Sequence, residues 1–173
     1  MGRPALIYLM DCGGKTDRMD EKREFLRHTL ATLAYRATRA LEGAPDEFAE
    51  FSGCAKTPGE ILAHMGDLFD WALSIASGKQ HWQNSTPLPW TEEKQRFYAA
   101  LSAFDAYLSG PEPVHAELER LFQGPVADAI NHVGQLALLR RLAGCKIKGE
   151  NFFVAEIHSG QTGASQPEPL RTF

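Results

Sequence analysis

The stretch GPVADAINHVGQLALLRRLAG, residues 124–144, opens on Gly-Pro, closes on glycine and is rich in Leu and Ala between them. At about 100° per residue it reads as a helix starting near Pro125. Asp128 and His132 then stand one turn apart, and Gln135 and Leu139 continue their line. Leu136 flanks that line on one side, Leu138 and Leu142 on the other. The spacing therefore puts three polar groups in the middle of an apolar face. A carboxylate in such a place is costly unless a cation or strong hydrogen bonds compensate it.

The rest of the chain reads the same way, with helical periodicity throughout and β-branched alternation almost absent. A first helix is expected from Asp17 or Asp20 to Leu41, with Phe25, Leu26, Leu30, Leu33, Ala37 and Leu41 as its stripe and Gly43-Ala44-Pro45 as its stop. The second follows TPGEILAHMGDLFDWALSIASG (57–78). Thr57 is placed to cap it, Pro58 at its first position, Glu60 to complete a capping box and Gly78 to end it. The loop KQHWQNSTPLPW (79–90) leads to a third helix capped by Thr91, whose stripe is Phe97, Leu101, Phe104 and Leu108. GPEP (110–113) breaks that helix, and VHAELERLF (114–122) gives a short amphipathic piece with Leu118, Leu121 and Phe122 together. Four long helices with moderate loops predict an all-α chain built as a four-helix bundle over 17–144. An N-terminal extension over 1–16 and an irregular tail over 145–173 flank it. NFFVAEI (151–157) is the apolar docking segment of that tail, laid on the bundle.

Composition narrows the function. The 173 residues are 43% hydrophobic and 23% charged with a net charge of −4, the profile of a soluble globular protein. Nucleic acid and anionic membranes are excluded as partners by the acidic balance and the scattered basic residues, of which Lys22-Arg23 and Arg140-Arg141 are the only adjacent pairs. ALIYLM (5–10) is too short for a leader core or a membrane span. Cys12, Cys54 and Cys145 are odd in number and widely spaced, against a disulfide framework and in favour of a reducing, cytoplasmic setting.

The second helix repeats the oddity of the fourth. Glu60, His64, Asp67 and Trp71 share a face with Leu68 and Ile75, while Leu62, Phe69 and Leu73 form an apolar side nearly opposite. A helix apolar on two sides is central, so His64 points inward. Two inward helices thus each offer an imidazole, and one adds an acid. Two His and one carboxylate suit a divalent transition metal and leave coordination positions open. An Asp–His hydrogen bond and a satisfied core histidine explain the same residues without a metal, and pattern alone leaves both readings standing.

TPGEILAHMGDLFDWAL together with DAINHVGQLALLRRLAG resembles the DinB-like (DinB/YfiT-like) superfamily of metalloenzymes over roughly Lys22–Gly144, and the ending GENFFVAEIHSGQTGASQ is similar to tails found there. The resemblance implies a four-helix bundle that binds a divalent metal, zinc or nickel, through three ligands. His64 matches the ligand of the second helix. His132, followed by Gly134-Gln135, matches the second histidine of an H-x-x-x-H pair, and Asp128 stands where the family has the first. The metal set implied is His64, Asp128 and His132, with His158 a replacement ligand if the tail folds over the bundle mouth. The resemblance also implies a homodimer, a small-molecule substrate and transfer of a low-molecular-weight thiol held as thiolate.

Other roles follow from position. Asp67, Asn131 and Gln135 are placed to orient the ligand imidazoles through their second nitrogens. Glu60 or Asp67 offers a general base for a hydrolytic alternative using metal-activated water. Arg140 and Arg141 offer to grip a thiol's carboxylates or to stay solvated at the helix end. Trp82 and Trp90 offer to wall a pocket or to cover a bundle end. His28, His81 and His115 fall on polar faces or loops.

Overall fold

A computed structural model describes residues 13–53 and 55–173, with side chains from residue 19 onward. ALIYLM, Cys12 and Cys54 lie outside the described residues, as do residues 1–12 of the expected extension; residues 13–16 already belong to the first helix. The described chain is all-helical: α1 (Gly13–Leu41), α2 (Pro58–Ala76), α3 (Trp90–Ser109), a single turn α4 (Leu118–Leu121) and α5 (Ala127–Leu142). No helix among the described residues is long and apolar enough to cross a membrane.

The helices pack as a ring in the order α1–α3–α2–α5, and side-chain pairs give their directions. Arg27 meets Asp105 and Thr38 meets Tyr98, so α1 and α3 are antiparallel. Lys22 meets Glu119 and Arg140 meets the carbonyls of Ala40 and Glu42, so α1 runs parallel to α4–α5. His64 meets Asp128, and Gly53 ahead of α2 packs against Leu139, so α2 and α5 are antiparallel. The directions are up, down, down, up.

Two parallel neighbours, α2 and α3, then follow each other in sequence, and the chain must run back the length of α2 between them. Residues 77–89 do this as an extended strap: His81 is tied to Ser74, Ser85 to Asp67 and Leu88 to Glu93. Extended chain covers about 3.3 Å per residue against about 1.5 Å in a helix, so this segment easily spans α2.

Local chemistry sets most helix ends as expected. Thr57 Oγ1 accepts from the Glu60 N–H at 3.3 Å while Glu60 Oε2 accepts from the Thr57 N–H at 2.7 Å, a complete capping box. Gly78, at φ +74°, follows the end of α2 in the left-handed conformation that glycine takes without strain. The expected Thr91 cap is not formed. Trp90 is drawn into the core edge-on to Phe48 at 5.6 Å, so α3 begins two residues earlier, after Pro89, and Thr91 is exposed within it.

Pro125 does not start the last helix either. The turn from Leu118 runs on through a π-turn, Phe122–Val126, into α5. Proline has no N–H for the carbonyl four residues back, and a wider turn absorbs the missing bond.

The core is the inner face of all four helices, with Leu30, Leu33, Ile61, Leu62, Met65, Phe69, Phe97, Leu101, Phe104 and Leu136 essentially fully buried. Phe25 is not part of it. It is 70% exposed because the buried arc of α1 is centred on Leu26, Leu30, Leu33 and Ala37. Phe122 is also largely outside, at 42%.

The tail lies across the α1–α3 seam and is anchored by polar groups as much as apolar ones. Buried Glu150 accepts from the Tyr35 hydroxyl at 2.5 Å, Thr162 donates to Ser102 at 2.9 Å, and Arg39 donates to the Pro167 carbonyl. Of the expected apolar docking segment, Phe152 packs edge-on to Tyr35 at 6.2 Å and beneath Arg36 and Ile157 is half-buried, while Phe153 is 95% exposed.

Candidate metal centre

The α2–α5 seam lies diametrically opposite the tail, and it brings the three implied ligands together. His64 projects from the middle of α2, and Asp128 and His132 from the first turns of α5. One donor atom from each lies within 4.8 Å of the other two. His64 Nε2 is 3.4 Å from Asp128 Oδ2, and His132 Nε2 is 3.5 Å from Asp128 Oδ1. The two rings stand edge to face with centroids 5.0 Å apart.

Each reading sets its own length scale. Charge-assisted hydrogen bonds run about 2.7–2.9 Å. Two donors each about 2.0–2.1 Å from a tetrahedral ion lie about 3.3–3.4 Å apart. The two separations, which end on different oxygens of Asp128, are longer than the first spacing and close to the second.

Gln135 bears on which ring atom of His132 faces the acid. Its carbonyl oxygen sits 2.8 Å from His132 Nδ1. A carbonyl can only accept, so Nδ1 carries the hydrogen, and in the neutral ring Nε2 then carries the lone pair. That lone pair faces a carboxylate oxygen. Two electron-rich atoms aimed at each other need a cation between them, either a proton or a metal ion.

The stripe is less buried than its spacing predicts. The buried face of α5 consists of Ala129, Val133, Leu136, Leu139 and Arg140, whereas Leu138 and Leu142 are 53% and 59% exposed. Asp128, His132 and Gln135 therefore run along the border of the apolar face and not through its middle. The Asp128 side chain is 47% exposed, that of His64 28% and that of His132 14%, which leaves the site open to solvent on the acid's side.

The other expected residues divide. Gln135 meets the His132 ring at Nδ1, where the spacing placed it. Asn131 is exposed on α5, one residue before His132. Asp67 does not orient His64: it is 3% exposed, and its carboxylate accepts from the Ser85 N–H at 2.9 Å, the Ser85 hydroxyl at 2.7 Å and Arg96 at 3.1 Å. The physical reason is that α2 faces the strap and α3 on that side. Glu60 is held in its capping box, so neither acid offered as general base is free for that role.

His158 is exposed on the tail at the α1–α3 seam, across the bundle from His64, Asp128 and His132. Arg140 is neither solvated nor near the site. It is 4% exposed and donates to the carbonyls of Cys145, Ala40 and Glu42, locking the end of α5 to that of α1. Arg141 is exposed, as are His28, His81 and His115. The two tryptophans split: Trp90 covers the core at Phe48, and Trp82 stands 5.8 Å from His64, edge-on, and 5.6 Å from Trp71.

One element was missed by pattern reading. Arg96 donates to buried Glu93 at 2.7 Å, to Asp67 at 3.1 Å and to the Ala63 carbonyl at 2.5 Å, joining α3, α2 and, through Asp67, the strap. Burial works against its charge, but the bonds to Glu93 and Asp67 outweigh that and raise its affinity for the proton. Its signals were the Glu93–Arg96 spacing and Gly66, where an added Cβ would stand 2.8 Å from the guanidinium carbon.

No protein-family model, curated protein or solved structure matches the chain. The functional reading rests on the residues of this site.

Proposed function

We propose that the chain is a divalent-metal-binding protein of the DinB-like kind. In this reading it holds zinc or nickel through His64, Asp128 and His132 and transfers a low-molecular-weight thiol to a small electrophilic substrate. The observation that carries the metal is the approach of three donors from two helices to within 4.8 Å of one another. When bound, such an ion supplies the Lewis acidity that keeps a thiol as its nucleophilic thiolate. The chain's own residues do the rest. Gln135 fixes the His132 tautomer, Asp128 offsets part of the ion's charge, and the half-open acid side leaves access for the reactants. No protein cysteine is required, and Cys145 lies beyond the far end of α5. A hydrolytic version is less well supported because Glu60 and Asp67 are both engaged.

Elemental analysis of protein purified without a polyhistidine tag, beside His132→Ala, tests the centre. About one ion per chain in the first and almost none in the second is expected; negligible metal in both would remove it. Retained metal without thiol conjugation would remove only the transferase. The implied homodimer is checked by its mass in sedimentation velocity.

A second reading is favoured by the same contacts: Asp128 between two imidazoles is also how a metal-free His–Asp–His network looks when a ring is protonated. Melting with and without a chelator separates the two, because a bound metal raises the midpoint by mass action.

A further inference from the structure

The strap runs back along α2 and places one large side chain beside His64. Trp82 lies between two tied points. His81 donates its N–H to Ser74 at 3.0 Å and accepts from the same hydroxyl at 3.1 Å, and Ser85 is held twice by Asp67. Asp67 is in turn fixed by Arg96. The indole meets His64 at 69° and Trp71 at 85°, so both neighbours steady it, yet it stays 38% exposed. Exposing part of a large aromatic ring while fixing the backbone on both sides of it has an energetic cost with no return in core packing. Beside an open coordination site the same arrangement is a preorganised wall.

We infer that Trp82 is the specificity wall of this centre, and that its ligand is a monoanionic metal-binding head carried on a flat, aromatic body. The inference rests on the metal reading above. Two neutral imidazoles and one carboxylate leave a divalent ion with one net positive charge, which selects a single anionic head such as a thiolate, carboxylate or hydroxamate. The exposed indole beside His64 takes the flat part, since aromatic pairs gain from offset or edge contact beyond their buried area.

Isothermal titration of the zinc-loaded full chain with benzohydroxamate and acetohydroxamate tests this. The two probes share a head and differ in the ring. The wild type is expected to bind the aromatic probe about tenfold more tightly. Trp82→Ala is expected to bring that ratio close to one, and Trp82→Phe to restore most of it, with acetohydroxamate affinity nearly constant across the three. Zinc content is measured in each sample. Zinc retained with no aromatic preference, or with a preference that survives Trp82→Ala, overturns the wall and leaves the metal centre intact. Absence of zinc overturns both.

Discussion

Gly66→Ala gives the sharpest test of how the strap is held, because two effects predict opposite signs. In the interior of a helix, Ala is favoured over Gly by about 1 kcal/mol, so propensity alone predicts stabilisation. The new methyl would stand 2.8 Å from Arg96 Cζ and Nη2 and 3.1 Å from Nη1. A free arginine would swing aside, but this one is pinned by Glu93, Asp67 and the Ala63 carbonyl, and the Glu93 and Asp67 side chains are 0% and 3% exposed. Moving the guanidinium costs bonds to charged groups at about 1.5–3 kcal/mol each. Losing two and gaining the propensity term leaves a net loss of about 2–5 kcal/mol. For a chain of this size each 1 kcal/mol moves the midpoint by about 2–4 °C, so a loss near 3 kcal/mol lowers it by about 6–12 °C in a thermal melt followed by circular dichroism. The same substitution made in an Arg96→Ala background should stabilise, since the obstacle is gone. A midpoint that rises with Gly66→Ala in the wild-type background would refute the argument.

Four further outcomes are expected. Gln135→Leu should weaken zinc binding about 10–100-fold in a competition titration while leaving the far-ultraviolet spectrum unchanged, because it frees the His132 ring without removing a ligand. His132→Ala should abolish the zinc-induced rise in melting temperature, which at a free-metal concentration about 100 times Kd is worth about 2.7 kcal/mol in the wild type. Tyr35→Phe strips buried Glu150 of a hydrogen-bond donor; it should cost about 1–3 kcal/mol and speed proteolysis of the tail, with zinc binding unaffected across the bundle. Phe25→Ser should change stability by less than about 0.5 kcal/mol, against about 2–5 kcal/mol for Leu30→Ala, if α1 buries the arc described.

The site and the fold were legible to different depths. Periodicity located all four long helices, and the Thr57–Glu60 box and Gly78 fixed the ends of α2, because capping is chemistry between residues close in sequence. The Thr91 cap and the Pro125 start failed where long-range packing won: burying Trp90 moved one helix start, and the turn at Leu118 was extended through a π-turn into the other. His64, Asp128 and His132 could be nominated because helical spacing puts each on an inward or bordering face. Asp67 was misassigned because its partners, Ser85 and Arg96, reach it from a strap and a helix whose positions no local rule gives. Arg140 was misassigned for the same reason, its acceptors lying at the end of α1.

The amino-acid order by itself determined which segments are helical, which stripe of each is apolar, and that an acid and two imidazoles ride on or beside those stripes. Only the tertiary structure decided that α2 and α5 are antiparallel neighbours, so that the three groups face one another, and that the strap returns along α2 to set Trp82 beside them. Helical periodicity follows from bonds and side chains a few residues apart. Which helix neighbours which is settled by the packing of the whole ring, where Arg96 and Arg140 tie together elements far apart in the chain.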